Sequence, residues 1–223
     1  MEKNKSLQNI YVGVKQNDEN RRENDLYETP PLATYLLHKY GNLPKNIVEP
    51  CAGRGNISIE LARHGYNVVS YDLNDHENKV YPVQSGYDVM TLPKQIGFDA
   101  FVTNPPYFKD LPRKIAEKGV SEYDYTAVFV RLTFLEGQKR KKLFTDNPPS
   151  DIIFLSDRVS FKPNLKTEPV ESIDQIGGMI AYCWIIWNKK AEHENTKLKW
   201  CLLKDEYHEW RKIYENSTSL LHA

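Results

Sequence analysis

Apolar residues along the chain gather into short runs separated by stretches with helical spacing. Lys45 to Glu49, Asn67 to Tyr71, Phe98 to Thr103, Tyr125 to Thr133, Asp151 to Leu155 and Met179 to Trp187 each hold a run of apolar, β-branched or aromatic residues. Bounded runs of this kind predict strands. Between them, Leu32, Tyr35, Leu36 and Leu37 share one face of a helix that ends at Gly41, with Thr29 as its N-cap and Pro30 at its first position. Ile57, Ile59, Leu61 and Ala62 mark a second helix from Ile57 to His64, stopped by Gly65. Gly86-Tyr87-Asp88 closes a further strand, Leu111 to Lys118 is a short helix, and Gly137 to Phe144 is a basic one. Strands alternating with helices predict an α/β domain with a mostly parallel central sheet flanked by helices.

The ends of the chain have a different texture. Residues 1 to 24 are polar and predict a mobile N-terminal arm. The domain occupies 25 to 188. In 189 to 223, Lys189 to Lys199 is a polar linker, after which Trp200, Leu203, Tyr207, Trp210 and Tyr214 recur at helical spacing. That stripe is a docking face against the domain, with a dimer contact as the alternative. Two loops are expected, a polar one at Ser121 to Asp124 near the site and a longer one at Phe161 to Gly178, which contains Pro163 and Pro169.

The most informative stretch is Phe98 to Tyr107. Its strand runs into Asn104-Pro105-Pro106-Tyr107. Two prolines fix φ and donate no backbone hydrogen bond, so Asn104 sits on a stiff corner and is itself pushed toward extended geometry. The corner displays one amide, the Pro105 carbonyl and one aromatic face. A second informative stretch is Glu49-Pro50-Cys51-Ala52-Gly53-Arg54-Gly55, which lies between a strand and a helix and precedes a strand ending in Asp72. Strand, glycine turn, helix, strand and acidic residue is the layout of a nucleotide-type cofactor site, where glycines let backbone approach the ligand and the carboxylate meets ribose hydroxyls. An ordinary turn of an α/β protein is the plainer reading of the glycines alone, and Asp72 and Asp88 would also serve as strand-end caps.

Composition narrows the partners. Of 223 residues, 40% are apolar, enough for a sizeable core, and Lys+Arg equals Asp+Glu at 30 each. A neutral chain touches nucleic acid through a local patch or not at all. Lys139 to Lys142, with Arg131, Arg158 and Lys162, would be that patch, although a basic helix is also simply a solvated face. Cys51, Cys183 and Cys201 are odd in number and widely spaced, which predicts free thiols, no zinc site and a reducing, cytoplasmic setting. No apolar run approaches a membrane span.

These two motifs carry a resemblance. Glu49 to Gly55 resembles the first motif of class I S-adenosylmethionine-dependent methyltransferases, and Asn104 to Tyr107 resembles the catalytic motif of those that methylate planar amino groups. Tyr27 to Pro31 resembles the upstream motif of DNA amino-methyltransferases. The fuller pattern is similar to small orphan adenine methyltransferases often carried by bacteriophages. It includes Arg131, Phe134-Leu135-Glu136-Gly137, Pro148-Pro149, Arg158 to Phe161 and Trp184 to Trp187, and spans roughly 25 to 188. The resemblance implies a Rossmann-like methyltransferase fold and S-adenosylmethionine as cofactor. It implies cofactor contacts from Tyr27, Thr29, Glu49, Pro50, Cys51, Ala52, Gly53, Gly55, Asp72, Leu73, Asp88 and Asn104. It implies catalysis by Asn104, Pro105, Pro106 and Tyr107, and acceptor contacts from Tyr107, Arg131, Arg158 and Phe161. Phe161 is equally an ordinary core ring. DNA is the implied partner, with no metal and no membrane, and the protein a monomer or weak dimer. A protein glutamine amide or an RNA base is the alternative acceptor, and a cofactor-binding module without turnover the alternative from another class.

Overall fold

The computed structural model describes residues 26 to 159, 178 to 192 and 194 to 221, with side chains to 213. The expected N-terminal arm, most of the 161–178 loop and Phe161 itself lie outside the described residues. Helix α1 is Pro31–Tyr40, followed by β1 Asn46–Glu49, α2 Asn56–Arg63, β2 Asn67–Asp72, β3 Gln84–Ser85 and β4 Ala100–Thr103. Then come α3 Leu111–Glu122, β5 Tyr125–Arg131, α4 Lys141–Asp146, β6 Asp151–Leu155, β7 Tyr182–Asn188, β8 Lys197–Cys201 and α5 Leu203–Leu221.

The strands form one sheet in the order β3-β2-β1-β4-β5-β7-β6-β8. Neighbours from β3 to β5 are parallel, β7 is antiparallel to both β5 and β6, and β8 returns parallel to β6. Only β7 therefore runs against the rest. The sheet is buried on both faces, which is why β5 (Tyr125–Val130) and β7 (Tyr182–Trp187) read as unbroken apolar runs instead of alternating. On one face α1, α2 and α5 pack Leu32, Leu36, Leu61 and Trp210 against Ile47, Phe129 and Trp184. On the other, α3 and α4 cover Val128, Val130 and Ile185 with Ala116, Val120 and Leu143. The strand order reverses between β1 and β4, so a crevice opens at their carboxyl ends. Both informative stretches leave the sheet there.

Several expectations are corrected. α1 begins at Pro31 with Pro30 as its N-cap and no side-chain cap bond, so Thr29 does not cap it. β3 pairs at Gln84–Ser85, before Gly86. Ser121 and Glu122 are the last turn of α3, and the Tyr123 ring is buried against Phe101, at the amino ends of the strands and away from the site. The basic segment is a 3₁₀ turn at Gln138–Arg140 followed by the one-turn α4.

The largest correction concerns the stretch read as a linker. Its last three residues, Lys197 to Lys199, open β8, a five-residue Lys-Leu-Lys-Trp-Cys alternation whose Leu198 and Trp200 stay exposed, so it lacks the continuous apolar run of the buried strands. Trp200 belongs to β8 and stacks on Phe154 at 4.9 Å, outside the helical stripe that held it in the sequence reading. Leu203, Tyr207 and Trp210 do dock α5 on the domain, and Tyr214 lies beyond the described side chains. The docking is polar as well as apolar. Trp210 Nε1 donates to the buried Glu60 carboxylate at 2.7 Å, and Lys39 bridges Glu206 and Glu209 at 2.7 and 2.6 Å. Glu60 also meets Arg63 and His64, both at 3.2 Å, so its charge is compensated where it is buried. Trp210→Ala is expected to cost about 3–5 kcal/mol by opening a cavity and stripping Glu60 of a donor. Urea denaturation checks this, and a change below about 1 kcal/mol would mean that α5 is not part of the cooperative fold.

Candidate active site

The glycine turn is shaped by two left-handed residues. Gly53 has φ +57° and Gly55 has φ +89°, values that L side chains adopt only under strain. At Gly55 space is as limiting as angle, because a Cβ there would sit 2.7 Å from Tyr81 Cβ and 3.3 Å from its backbone nitrogen, whereas at Gly53 a Cβ would meet only the movable end of Leu26 and the angle decides. Gly55 is the N-cap of α2. The turn is tied to the neighbouring strand by Asp72, whose Oδ2 accepts the Gly53 N–H at 2.7 Å and whose Oδ1 accepts the Asn74 N–H at 2.8 Å. His76 Nε2 stands 3.3 Å from the same carboxylate. Asp72, expected from the sequence to meet ribose hydroxyls, also fixes the glycine loop.

A cavity of about 560 Å³ opens over this turn. Of the residues expected at a cofactor, Tyr27, Thr29, Glu49, Pro50, Cys51, Ala52, Gly53, Asp72, Leu73, Asp88 and Asn104 all line it. Gly55 does not, since it faces Tyr81 and serves the turn's geometry. Leu73 projects at the mouth, 60% exposed. Asp88 is exposed and also begins a turn, its Oδ1 accepting the Met90 N–H at 2.9 Å. Burial pushes the Cys51 thiol well up, with Asp72 adding to the effect, so it stays protonated. The cavity also takes residues the sequence reading missed. Arg54 and Glu28 form an ion pair at 3.1 Å inside it, and His76, Tyr87 and Phe108 complete its wall. Arg54 was visible as the variable position between the two glycines. The others have no motif, and only the fold brings them in.

Glu49 ends β1 at the floor of the cavity and is almost completely buried. Ser58 donates to its carboxylate, and Ser58 in turn pairs with Ser70 at 2.5 Å. Burial pushes Glu49 up to about 8, an effect the Ser58 hydrogen bonds oppose and nearby Asp72 reinforces.

At the other wall, Asn104 is held by both ends of its amide. Its Nδ2 donates to the Tyr27 carbonyl at 2.9 Å and to the Thr29 hydroxyl at 3.0 Å. A carbonyl only accepts, so these partners set which end of the amide is which. The buried hydroxyl of Thr29, no cap after all, acts here. Asn104 Oδ1 is thereby aimed the other way, where it accepts the Tyr107 hydroxyl at 2.7 Å.

The placement of Tyr107 departs from expectation. Its ring, partly buried, does not line the cavity. It packs edge-on to Tyr27 and Tyr182, and the Arg131 guanidinium lies 4.9 Å from its centroid. Its hydroxyl also reaches the Phe129 carbonyl at 3.1 Å, and burial holds it well above the ordinary phenol range. Pro106 lines the cavity, whereas Pro105 is buried and does not. Arg158 is exposed. In the basic segment, Arg140 spends its donors on the Thr133 and Glu136 carbonyls and Lys142 pairs with Asp146 at 2.5 Å, leaving Lys139 and Lys141 as exposed charges.

This geometry can be set beside known structures. No protein-family model matches the sequence, and no curated protein matches it. Among solved structures, a candidate class I S-adenosylmethionine-dependent methyltransferase from Listeria monocytogenes superposes with a TM-score of 0.57 at 14% identity, over 86% of this chain and 74% of that one. The fold is that of the class I methyltransferases. A candidate RNA methyltransferase from Pyrococcus horikoshii matches with a TM-score of 0.50 at 14% identity, over 70% of this chain and 82% of that one. Among the described residues, no helix is long and apolar enough to cross a membrane, and no group of three His, Cys, Asp or Glu is arranged to hold a metal ion.

The buried carboxyl gives a pH signature. A Glu49 raised from 4.5 to about 8 keeps its proton in the folded state while the unfolded chain has already released it. Stability therefore falls as pH rises through that window and levels off above about 8. Urea midpoints of the free protein should decline from about pH 5 to pH 8, and Glu49→Gln should flatten the decline. Equal slopes in the two proteins would place the ionised form in the folded state.

Proposed function

We propose that the protein is an S-adenosylmethionine-dependent methyltransferase that acts on the exocyclic amino group of adenine in DNA. The observation that carries this reading is the Asn104 amide, fixed at the edge of the cavity that the glycine turn forms. The cavity suits the cofactor. Its volume lies within the range of small-molecule sites, Gly53 holds its cradle in a left-handed conformation that a side chain would strain, and Glu49, Asp72 and Asp88 face it. Carboxyl groups are what ribose hydroxyls, an adenine amine and a cationic amino-acid end would meet, and a cation beside Glu49 would favour release of its proton. When bound, S-adenosylmethionine supplies an electrophilic methyl group on a sulfonium.

The remaining work falls to the chain. An adenine amine is conjugated into its ring and is a poor nucleophile. Asn104 Oδ1 and the Pro105 carbonyl, by accepting its two N–H bonds, would favour a pyramidal nitrogen whose lone pair points across the cavity edge. This is positioning and electrostatic preorganisation without a covalent intermediate. Asn104 is neutral, so the proton leaves to water during or after transfer. The bonds from Asn104 Nδ2 to Tyr27 and Thr29 keep the oxygen aimed before the acceptor arrives. Tyr107 would stack on the base for about 1–3 kcal/mol, and a target inside duplex DNA must first be flipped out.

Two features support DNA as acceptor: the Tyr27 to Pro31 stretch, with its resemblance to DNA amino-methyltransferases, and the cationic Arg131 beside Tyr107. A protein glutamine amide and an RNA base offer the same planar amine and are the competing outcomes. Transfer of a tritiated methyl group, screened over DNA, RNA and protein, is expected to label adenine in DNA. Asn104→Ala should lower the rate at least about 100-fold, the scale of losing one preorganised partner of the reacting group. Labelling of protein or RNA alone would move the acceptor, and S-adenosylhomocysteine binding without transfer to anything would leave a cofactor-binding module.

A further inference from the structure

The acceptor end of the site is filled by the protein itself. The Tyr107 hydroxyl sits on Asn104 Oδ1 at 2.7 Å, in the hydrogen-bond position that an acceptor N–H would need. The same hydroxyl leans on the Phe129 carbonyl at 3.1 Å, so one proton serves two acceptors and the closed position is doubly favoured. The flat face of Tyr107 is covered too, by the Arg131 guanidinium 4.9 Å from the ring centroid. A guanidinium is planar and cationic, and its stacking on a ring uses the surface a conjugated acceptor would use. T-shaped contacts with Tyr27 at 6.0 Å and Tyr182 at 6.2 Å, with Tyr182 itself stacked on Phe129, add to the hold on the ring. Arg131 also reaches the Tyr182 hydroxyl. The resulting arrangement mimics a bound substrate, with a donor on Asn104 and a plane on Tyr107, and both are supplied in cis.

Resting on the methyltransferase reading above, we propose that the acceptor enters by exchange: its amine replaces the Tyr107 hydroxyl on Asn104, its ring replaces the Arg131 guanidinium on Tyr107, and the released Arg131 pairs with an acceptor phosphate. The exchange explains why the aromatic of the corner is turned inward, and it makes Arg131 a specificity residue. Leaving Tyr107 costs Arg131 a cation–π contact, and an anionic phosphate beside the acceptor offsets that loss. A nucleotide brings its own phosphate to the exchange. A glutamine amide has none and would open the site at a net cost. The closed state also keeps Asn104 Oδ1 hydrogen-bonded while no acceptor is present. Arg131 ends β5 and Asn104 follows β4, neighbouring strands of the sheet, so the motion is confined to side chains and the corner.

Two measurements separate the exchange from the reading beneath it. The first needs no turnover. 3-Fluorotyrosine placed at position 107 is followed by ¹⁹F NMR in the full-length protein saturated with S-adenosylhomocysteine, while adenosine monophosphate or a short adenine-containing single strand of DNA is added. The signal is expected to leave its closed position with either probe, and adenosine without phosphate should move it less. A signal unmoved by every probe overturns the exchange, whatever the protein methylates. A signal that moves while no methyl reaches DNA sinks the DNA reading and leaves the exchange standing.

The second measurement is steady-state kinetics on the labelled acceptor. Tyr107→Phe retains the ring and removes the closing hydroxyl, so the acceptor KM should fall several-fold. Arg131→Gln should raise KM and lower the salt slope of log(kcat/KM) by about 0.9, the value of one phosphate contact, while Arg131→Lys restores the slope without the stacking plane. A loss of kcat at unchanged KM in Tyr107→Phe would give the hydroxyl a chemical role and contradict its place as a plug. A salt slope unaltered in Arg131→Gln would remove the phosphate from the account.

Discussion

The molecule depends on how one amide is held. A free asparagine side chain at a strand end turns readily, and an amide that turns presents a donor where an acceptor is wanted. Here the Nδ2 of Asn104 is bound by the Tyr27 carbonyl and the Thr29 hydroxyl, so the oxygen faces one way before any ligand arrives. Those two partners come from about 75 residues earlier in the chain, and they reach Asn104 because α1 packs its Leu32, Leu36 and Leu37 into the sheet core. Core packing therefore aims a functional group that lies outside the core. The buried Trp184, whose Nε1 donates to the Ala33 carbonyl at 2.8 Å, anchors the same helix to β7.

The site sits where it does for topological reasons. Connections from β1 run outward to β2 and β3, whereas β4 and β5 build on the other side, so the strand order switches between β1 and β4 and the chain parts there at the carboxyl ends. Glu49 and Asn104 leave the two strands that flank this gap. Asp72 at the end of β2 ties the glycine turn from the side, and the Arg54–Glu28 pair ties the upstream segment to the same turn. The glycine turn, the upstream segment and the Asn104 corner are thus tied to one another or to a neighbouring strand. Such mutual fixing is what a preorganised site needs, since a reacting group that must be oriented during the reaction loses much of its advantage.

Much of this was legible in the sequence, and what escaped has physical causes. The strands buried on both faces, β1, β2, β4, β5, β6 and β7, were found because continuous apolar runs bounded by breakers have few other uses. The fold class followed from their alternation with helices. Edge strand β8 escaped because four of its five residues face solvent, and Trp200 was assigned to a helix because its spacing from Leu203 fits one by coincidence. Thr29 and Pro30 looked like a cap and a first turn, yet the helix starts one residue later and the hydroxyl serves Asn104. Ser121 to Asp124 read as a loop from its polarity, although it only closes an amphipathic helix. The glycine turn and the Asn-Pro-Pro-Tyr corner marked the site because each is a local backbone solution that sequence dictates. Arg54–Glu28, His76 and Phe108 join it only through packing, and the inward turn of Tyr107 depends on Arg131 and Phe129, which no local pattern links to it.

The central claim is that a preset amide oxygen beside a cofactor cavity turns an adenine amine into a methyl acceptor. Methylation-aware sequencing of DNA from a host expressing the chain, beside a host expressing Asn104→Ala, tests it most directly. The account predicts N6-methyladenine in a defined sequence context that disappears with the amide. Methylation that persists in Asn104→Ala, or DNA left unmodified by a wild-type protein shown to be folded and to bind S-adenosylhomocysteine, would contradict it.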